Sequence, residues 1–341
     1  MPHIPMKYAP RLIWNGTRNF FSGRPLVVSF ETTLACNANC KHCDLGGGIP
    51  NEKRMKPEEF RRQVEHFRPP VIQLSGGEPL LRSDLLDIVK AVKINPYFPY
   101  TILVSNAWML TKQKYLALRQ AGVNQFSISL DFPDERHDDF RAIPGLYRKM
   151  NEVIPDIAAL GFGDVVMNTA ITSANVRELP AIIENCRRWG VCVSFSVYTP
   201  LRTEDHSLVT RDPEDLKFVR DVFDKAVQRE GIYASVVNSR FNLDGLYEFL
   251  KNGAVPNCSA GRRFLVIRPD GLLNPCSLQR VNFQNQKDMV KGFSNDNPCG
   301  GCFVSIRSYV EVSFAKLFWE NVSMRVMGGK KGNGKGKAAG A

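Results

Sequence analysis

Six apolar runs of strand length, at 26–32, 70–74, 100–105, 125–130, 165–171 and 192–198, alternate with longer segments of helical period. Between them, Pro57 to Phe67, Ser83 to Lys93, Thr111 to Ala121, Gly145 to Leu160 and Val176 to Trp189 carry apolar residues three and four apart. That alternation is the pattern of repeated βα units around a parallel sheet, so the expected class is α/β. Helix starts are legible too. Lys56-Pro57-Glu58-Glu59 puts proline and acids in a first turn, and Ser83-Asp84 offers a cap before Leu85-Leu86.

The first run breaks into polar residues at Cys36-x3-Cys40-x2-Cys43. Three thiolates can hold three irons of a four-iron cluster and leave the fourth iron open to a small molecule. Zinc competes, because such gaps are common in structural zinc sites and His42 offers a fourth ligand. His42 directly precedes Cys43, however, and adjacent residues rarely reach one tetrahedral ion without strain. Unpaired thiols are the third reading. The second run ends in Ser75-Gly76-Gly77-Glu78-Pro79-Leu80. Two glycines let backbone approach a ligand closely, a carboxylate can accept hydrogen bonds from an ammonium group, and Pro79 stiffens the exit. Alone, these residues also suit a tight turn between strand and helix.

Together the two motifs resemble the radical S-adenosylmethionine (SAM) superfamily. The signature Cys-x3-Cys-x-(aromatic)-Cys stands as Cys36 to Cys43, with His42 at the aromatic position, and "GGEP" as Gly76 to Pro79. The resemblance implies a partial (β/α)6 TIM-like barrel, an open iron that binds the methionine amino and carboxylate groups, and a Gly-Gly-Glu segment that receives the amino group. It also implies reductive cleavage of SAM to a 5′-deoxyadenosyl radical that abstracts hydrogen from a substrate. Ser127-Ile128-Ser129-Leu130-Asp131, with His137-Asp138 and Phe140-Arg141, looks like the family's "SLDG…HD…R" region, with Phe132 in place of the usual glycine. By that likeness Ser129 lies near SAM and Arg141 pairs with its carboxylate; a solvated arginine is the plainer reading of Arg141. Ser105-Asn106 either touches cofactor or substrate or caps the turn toward Thr111. Asn168 is placed for a cofactor or substrate contact, and Tyr198 either projects toward substrate or packs.

Downstream, Cys258 and Cys276 flank a run interrupted by Pro269-Asp270-Gly271, and Cys299-Gly300-Gly301-Cys302 follows. Pro-Asp-Gly between apolar runs reads as a β-hairpin with Cys258 and Cys276 at its open end, and the Cys-x2-Cys completes a four-thiolate site. This resembles the SPASM and twitch extensions of the superfamily. Four cysteines match one auxiliary [4Fe-4S] cluster, closed and suited to electron transfer or bracing. Without Cys258 it becomes an open three-cysteine site, and zinc is the competing metal. Cys186 and Cys192 read as small buried residues rather than ligands.

Nine cysteines with no apolar signal stretch fit a reducing cytoplasm, and no run is long enough to span a bilayer. The expected organisation is a lead-in over 1–24, a barrel over 25–235, an auxiliary-cluster region over 236–327 and a disordered basic tail over 328–341. Two clusters would lower the formal charge of +11 by roughly three. No aromatic-interleaved basic module appears, which disfavours nucleic acid. Residues 309–327 form either a helix docked on the barrel or an interfacial helix that, with the lysine tail, touches an anionic membrane. Tyr8 to Trp14 with Phe20-Phe21 shares that apolar and basic mixture. The expected partners are a peptide, small-molecule or lipid substrate and a reductant such as flavodoxin or ferredoxin. The alternative reading of the whole chain is a zinc-stabilised binding protein without redox chemistry.

Overall fold

The computed structural model describes residues 9–95 and 98–311. Its strands are β1 Val27–Thr33, β2 Val71–Gly76, β3 Tyr100–Ser105, β4 Gln125–Ser129, β5 Val165–Ile171, β6 Cys192–Val197, β7 Phe264–Ile267 and β8 Leu273–Asn274. The helices are α1 Ala9–Ser22, α2 Pro57–Phe67, α3 Leu85–Ala91, α4 Lys112–Ala121, α5 Arg136–Arg141, α6 Leu146–Ala158, α7 Leu179–Trp189, α8 Pro213–Gln228, α9 Arg240–Asn252, α10 Gln286–Met289 and α11 Ser305–Val310. All eight strands form one sheet, in the order β6-β5-β4-β3-β2-β1-β7-β8, parallel except for the antiparallel β7-β8 hairpin. The six expected strands and the helices between them are present, and they make a partial TIM-like barrel.

Register separates two chemistries along the strands. Phe30, Leu74, Leu103, Phe126, Ile128 and Phe195 are fully buried, and Phe30 packs on Phe60 of α2. The alternate positions, paired across the sheet as Ser29 with Gln73, Glu31 with Ser75, Val104 with Ser127, Ser129 with Asn168 and Asn168 with Ser194, form a largely polar inner wall. Glu31 is the one charged residue in these eight strands.

Local chemistry sets the helix boundaries. Lys56 N donates to Glu59 Oε2 at 2.8 Å ahead of Pro57, and the Thr111 hydroxyl accepts from Lys114 N at 3.1 Å. Asp84 precedes α3 as expected but caps nothing, because Arg82 holds its carboxylate through two bonds of 2.7 and 2.6 Å. The C-terminal region continues the barrel: β7 lies parallel to β1, and its hairpin turns at Gly271, whose φ of 88° suits glycine. From residue 312 on, the expected helix over 309–327 and the lysine tail lie outside the described residues. No helix among the described residues is long and apolar enough to cross a membrane.

Candidate functional site

Beyond β1 the chain enters the loop that carries the first three cysteines, and this loop is pinned to its surroundings. Cys36 N donates to Gly47 O at 2.9 Å, and Asn39 N and Lys41 N donate to the carbonyls of Arg141 and Phe140 at 3.2 and 3.0 Å. A cavity of about 140 Å³ opens here at the C-terminal ends of the strands. Cys36, Cys40, His42, Cys43, Gly76, Gly77, Glu78, Ser105, Ser129 and Arg141 all line it. Of the residues expected at the first site, Pro79 and Asn168 do not. Pro79 is buried at the start of a single turn, and Asn168 lies beside Ser129 on β5, with its Oδ1 buried and unpartnered.

The glycines serve backbone contact within the chain. A Cβ on Gly77 would stand 2.0 Å from Ala35 O, and one on Gly76, where φ is 118°, 2.2 Å from Thr33 O. Gly77 N and Glu78 N donate to Thr33 O and Ala35 O at 2.7 and 3.0 Å, so the exit of β2 is laced to the cysteine loop. Glu78 is fully buried, and its carboxylate accepts from Leu80 N (3.0 Å), the Ser105 hydroxyl (2.9 Å) and Asn106 N (2.8 Å). Burial raises this carboxyl against those three donors. Ser105 is therefore a brace for Glu78. Asn106 donates from Nδ2 to Asn37 Oδ1 at 2.9 Å and accepts from Trp108 N, which ties the cysteine loop to the end of β3.

Arg141 is buried, and its Nε and Nη2 meet Asp131 Oδ2 at 2.7 and 2.6 Å while Nη1 points at Cys40 Sγ from 3.7 Å. Burial opposes its charge, but Asp131 and the thiol outweigh burial and hold it protonated. Burial likewise would raise the Asp131 carboxyl, yet Arg141 and the neighbouring histidines bring it below its ordinary value. His137 is fully buried, accepts from Asp131 N at 3.2 Å, and is pushed down to about 3 by burial. His42 stacks on Phe140 with ring centroids 5.0 Å apart, and burial and then Arg141 lower it to about 4. Tyr198 packs with Phe132, Phe140 and Leu208, and its hydroxyl bonds Asp205 O at 2.9 Å. Packing is thus its observed fate.

The four downstream cysteines gather around a second cavity of about 240 Å³. Gly261 N donates to Pro275 O, closing the hairpin's open end where Cys258 and Cys276 stand. The same cavity is walled by Ser29, Glu31, Gln73 and Arg202, and it meets the first at Ser75, Gly76 and Val104. Cys186 is fully buried away from both cavities. Burial raises Cys36 and Cys258 to about 11 and Cys302 to about 12, so a metal taken up here displaces protons from neutral thiols.

The donor sets fit iron-sulfur clusters. Soft thiols face each cavity, and N–H groups point at sulfur: Leu45 N to Cys43 (3.4 Å), Arg141 to Cys40 (3.7 Å), Gln279 N to Cys276 (3.2 Å) and Gln279 Nε2 to Cys299 (3.7 Å). Such bonds stabilise charge on cluster sulfur. Among the described residues no three His, Cys, Asp or Glu side chains converge on the position of a single metal ion; the thiols ring cavities instead.

Residues 30–190 match the family described as the radical SAM superfamily. That stretch is a radical SAM domain, the domain of a superfamily of enzymes. An "AdoMet-dependent heme synthase" of Oleidesulfovibrio alaskensis is 24% identical over 298 residues, covering 80% of this chain and 76% of that protein. A "Probable GTP 3',8-cyclase" of Thermoplasma volcanium is 35% identical over 220 residues, 61% of this chain and 65% of that one. Among solved structures, Streptococcus suis SuiB bound to precursor peptide SuiA superposes with a TM-score of 0.62 at 16% identity, covering 85% of this chain and 69% of SuiB. That last likeness is one of fold. A radical SAM domain implies SAM and a [4Fe-4S] cluster.

Two features of the site escaped the sequence reading. Glu31 is 5% exposed, and among the described residues its carboxylate has neither a hydrogen bond nor an ion pair. Its signal was an acid in a strand that otherwise holds Val, Ser, Phe and Thr. Asp44, just past Cys43, pairs with both Arg202 and Arg280 and so links the cysteine loop to the C-terminal region. Nothing local announces that contact, because its partners are distant in sequence.

Proposed function

We propose that the chain cleaves SAM reductively at a [4Fe-4S] cluster on Cys36, Cys40 and Cys43. The resulting radical is directed at a substrate held in the larger cavity, beside a second [4Fe-4S] cluster on Cys258, Cys276, Cys299 and Cys302. One observation carries this reading: two thiol-lined cavities meet at Ser75, Gly76 and Val104. When bound, cluster and SAM supply a 5′-deoxyadenosyl radical that abstracts hydrogen.

The chain's own residues do the positioning. Arg141 and Leu45 N–H support negative charge on the sulfurs of Cys40 and Cys43. Ser129 offers a hydroxyl to the nucleoside from the wall of the first cavity, and Asn168 an unpartnered carbonyl oxygen from the adjacent strand. Glu78, held by three donors, keeps the ends of β2 and β3 in place and has lone-pair capacity left for the amino group of SAM. Glu31 accepts a hydrogen bond from the substrate, and Arg202, whose Nε is buried and unpartnered, donates one. A cavity of about 240 Å³, with Glu31, Gln73 and Arg202 on one wall and apolar residues such as Leu201, Phe264 and Phe293 on the others, suits a peptide side chain or a small metabolite that carries both polar and apolar groups. Relatives named as heme synthase and GTP cyclase, and a fold neighbour solved with a peptide, support the same classes. Four thiolates close the second cluster, so its role is electron transfer or bracing. A cytoplasmic setting and a flavodoxin- or ferredoxin-type reductant belong to this reading.

Anaerobic purification with iron, sulfide and zinc analysis tests it. The expected result is about eight irons and eight sulfides per chain, with 5′-deoxyadenosine formed on reduction. Half that iron plus one zinc would reassign the downstream site. Zinc alone, without sulfide, would end the proposal.

A further inference from the structure

α1 lies across the barrel end opposite the cysteine loop, against residues that immediately precede strands. Asn19 Nδ2 donates to Pro25 O, Phe67 O and Arg68 O at 2.9, 3.1 and 3.0 Å, and the Arg263 guanidinium sits 4.3 Å over the Phe20 ring. At helical spacing the other face presents Arg11, Trp14, Arg18 and Phe21. Trp14 is 72% exposed and Phe21 81%, and the helix contains no acid. Two large aromatic rings held in water between arginines mark an interaction surface.

The described chain ends on the same side. Val310 packs with Val27 and Phe264, and its carbonyl accepts from Arg263 Nη1 at 2.9 Å. The described chain therefore stops, ahead of residues 312–341, at the barrel end that carries α1. Their sequence holds Phe314, Leu317, Phe318 and Trp319 and six basic residues against one acid, Glu320; residues 1–30 hold four basic residues and no acid. These two ends account for nine of the eleven formal positive charges. Like charge opposes their covering one another and favours an occupant that is anionic and apolar at once.

We propose that this end of the barrel docks on an anionic lipid surface. α1 lies in the headgroup layer, with Trp14 and Phe21 reaching the acyl boundary and Arg11 and Arg18 at the phosphates. The cysteine loop is at the opposite end, so the contact sets where the enzyme sits and leaves its site facing water. The substrate need not be a lipid, and the inference stands apart from the assignment of the clusters.

Flotation of the full chain with vesicles is the test. Wild type is expected to float with phosphatidylcholine vesicles containing about 30 mol% phosphatidylglycerol and not with phosphatidylcholine alone. Binding should weaken at least about tenfold in about 0.5 M salt. Trp14→Ala with Phe21→Ala, and separately Arg11→Glu with Arg18→Glu, should each lower partitioning at least about tenfold, with the thermal midpoint unchanged. Wild type that stays with neither vesicle, or an aromatic variant that floats like wild type, would overturn the proposal. Dimerisation through Trp14 and Phe21 without vesicle binding, read by light scattering, would overturn it as well.

Discussion

Cys36, Cys40 and Cys43 stand within eight residues of one loop, whereas Cys258, Cys276, Cys299 and Cys302 are drawn from segments spread over 45 residues. Each set has a buried arginine beside it, used differently. Arg141 points at the sulfur of Cys40 and is neutralised by Asp131. Arg307, which is fully buried, donates to the carbonyls of Cys302, Val255 (3.0 Å) and Pro256 (3.1 Å) and pairs with Glu311. The first arginine acts on sulfur charge, and the second ties together the backbone that carries the thiols. A short loop can form its ligand set locally, so protein effort there goes into electronics. A dispersed set depends on the tertiary fold, and there the effort goes into bracing.

The largest expected effect separates the two sets outright. Cys40→Ala should abolish 5′-deoxyadenosine formation and remove about half the iron. Cys276→Ala should remove a similar share of iron, keep SAM cleavage and lose conversion of substrate. Cys186→Ala, buried away from both cavities, should change neither cleavage nor iron content. Equal cleavage in Cys40→Ala and Cys186→Ala would break the ligand assignment. Loss of cleavage in Cys276→Ala would mean that the sets are not separable.

Next in size is the seam between β2 and the cysteine loop. Gly77→Ala places a methyl 2.0 Å from Ala35 O, and the obstacle is the Leu34-Ala35 backbone rather than a flexible side chain, so the loop must shift. An expected cost of roughly 1–3 kcal/mol in the thermal or denaturant midpoint should come with poor reconstitution of the first cluster and normal occupancy of the second. If both clusters load normally, the seam does not position the loop.

The barrel was legible because its signal is periodic. The strands at 100–105 and 165–171 coincide with β3 and β5, and the helix over 57–67 with α2. The three thiols that line the first cavity were legible as a group because their spacing is local. What the sequence hid was how side chains are spent. Glu78 read as a group facing SAM, and Arg141 as either a partner of its carboxylate or a solvated arginine; the sequence did not show that Glu78 is also held by Ser105 and two backbone amides, or that Arg141 is buried against Asp131 and Cys40. Their partners lie 10 to 101 residues away or are backbone atoms, which no spacing rule reveals. Helix α1 escaped for a similar reason: its apolar side fits a barrel end that exists only after β1, β2 and β7 assemble.

The finest test asks whether Arg141 tunes the first cluster or only fills space. Arg141→Lys keeps a cation within reach of Asp131, so the buried carboxylate is not left alone, a loss that typically costs about 3–5 kcal/mol. A lysine ammonium cannot span Asp131 and Cys40 Sγ as the planar guanidinium does. Losing an N–H donor to cluster sulfur destabilises the reduced, more negative state, so the midpoint potential should fall on the order of tens of millivolts. The expected phenotype is a folded protein with full iron, an altered reduced-cluster EPR signal and 5′-deoxyadenosine formation slowed by about tenfold. The second cluster, next to Arg307, should keep its potential. An unchanged midpoint for the first cluster would make Arg141 a structural brace like Arg307, and the electronic contrast between the two cysteine sets would disappear.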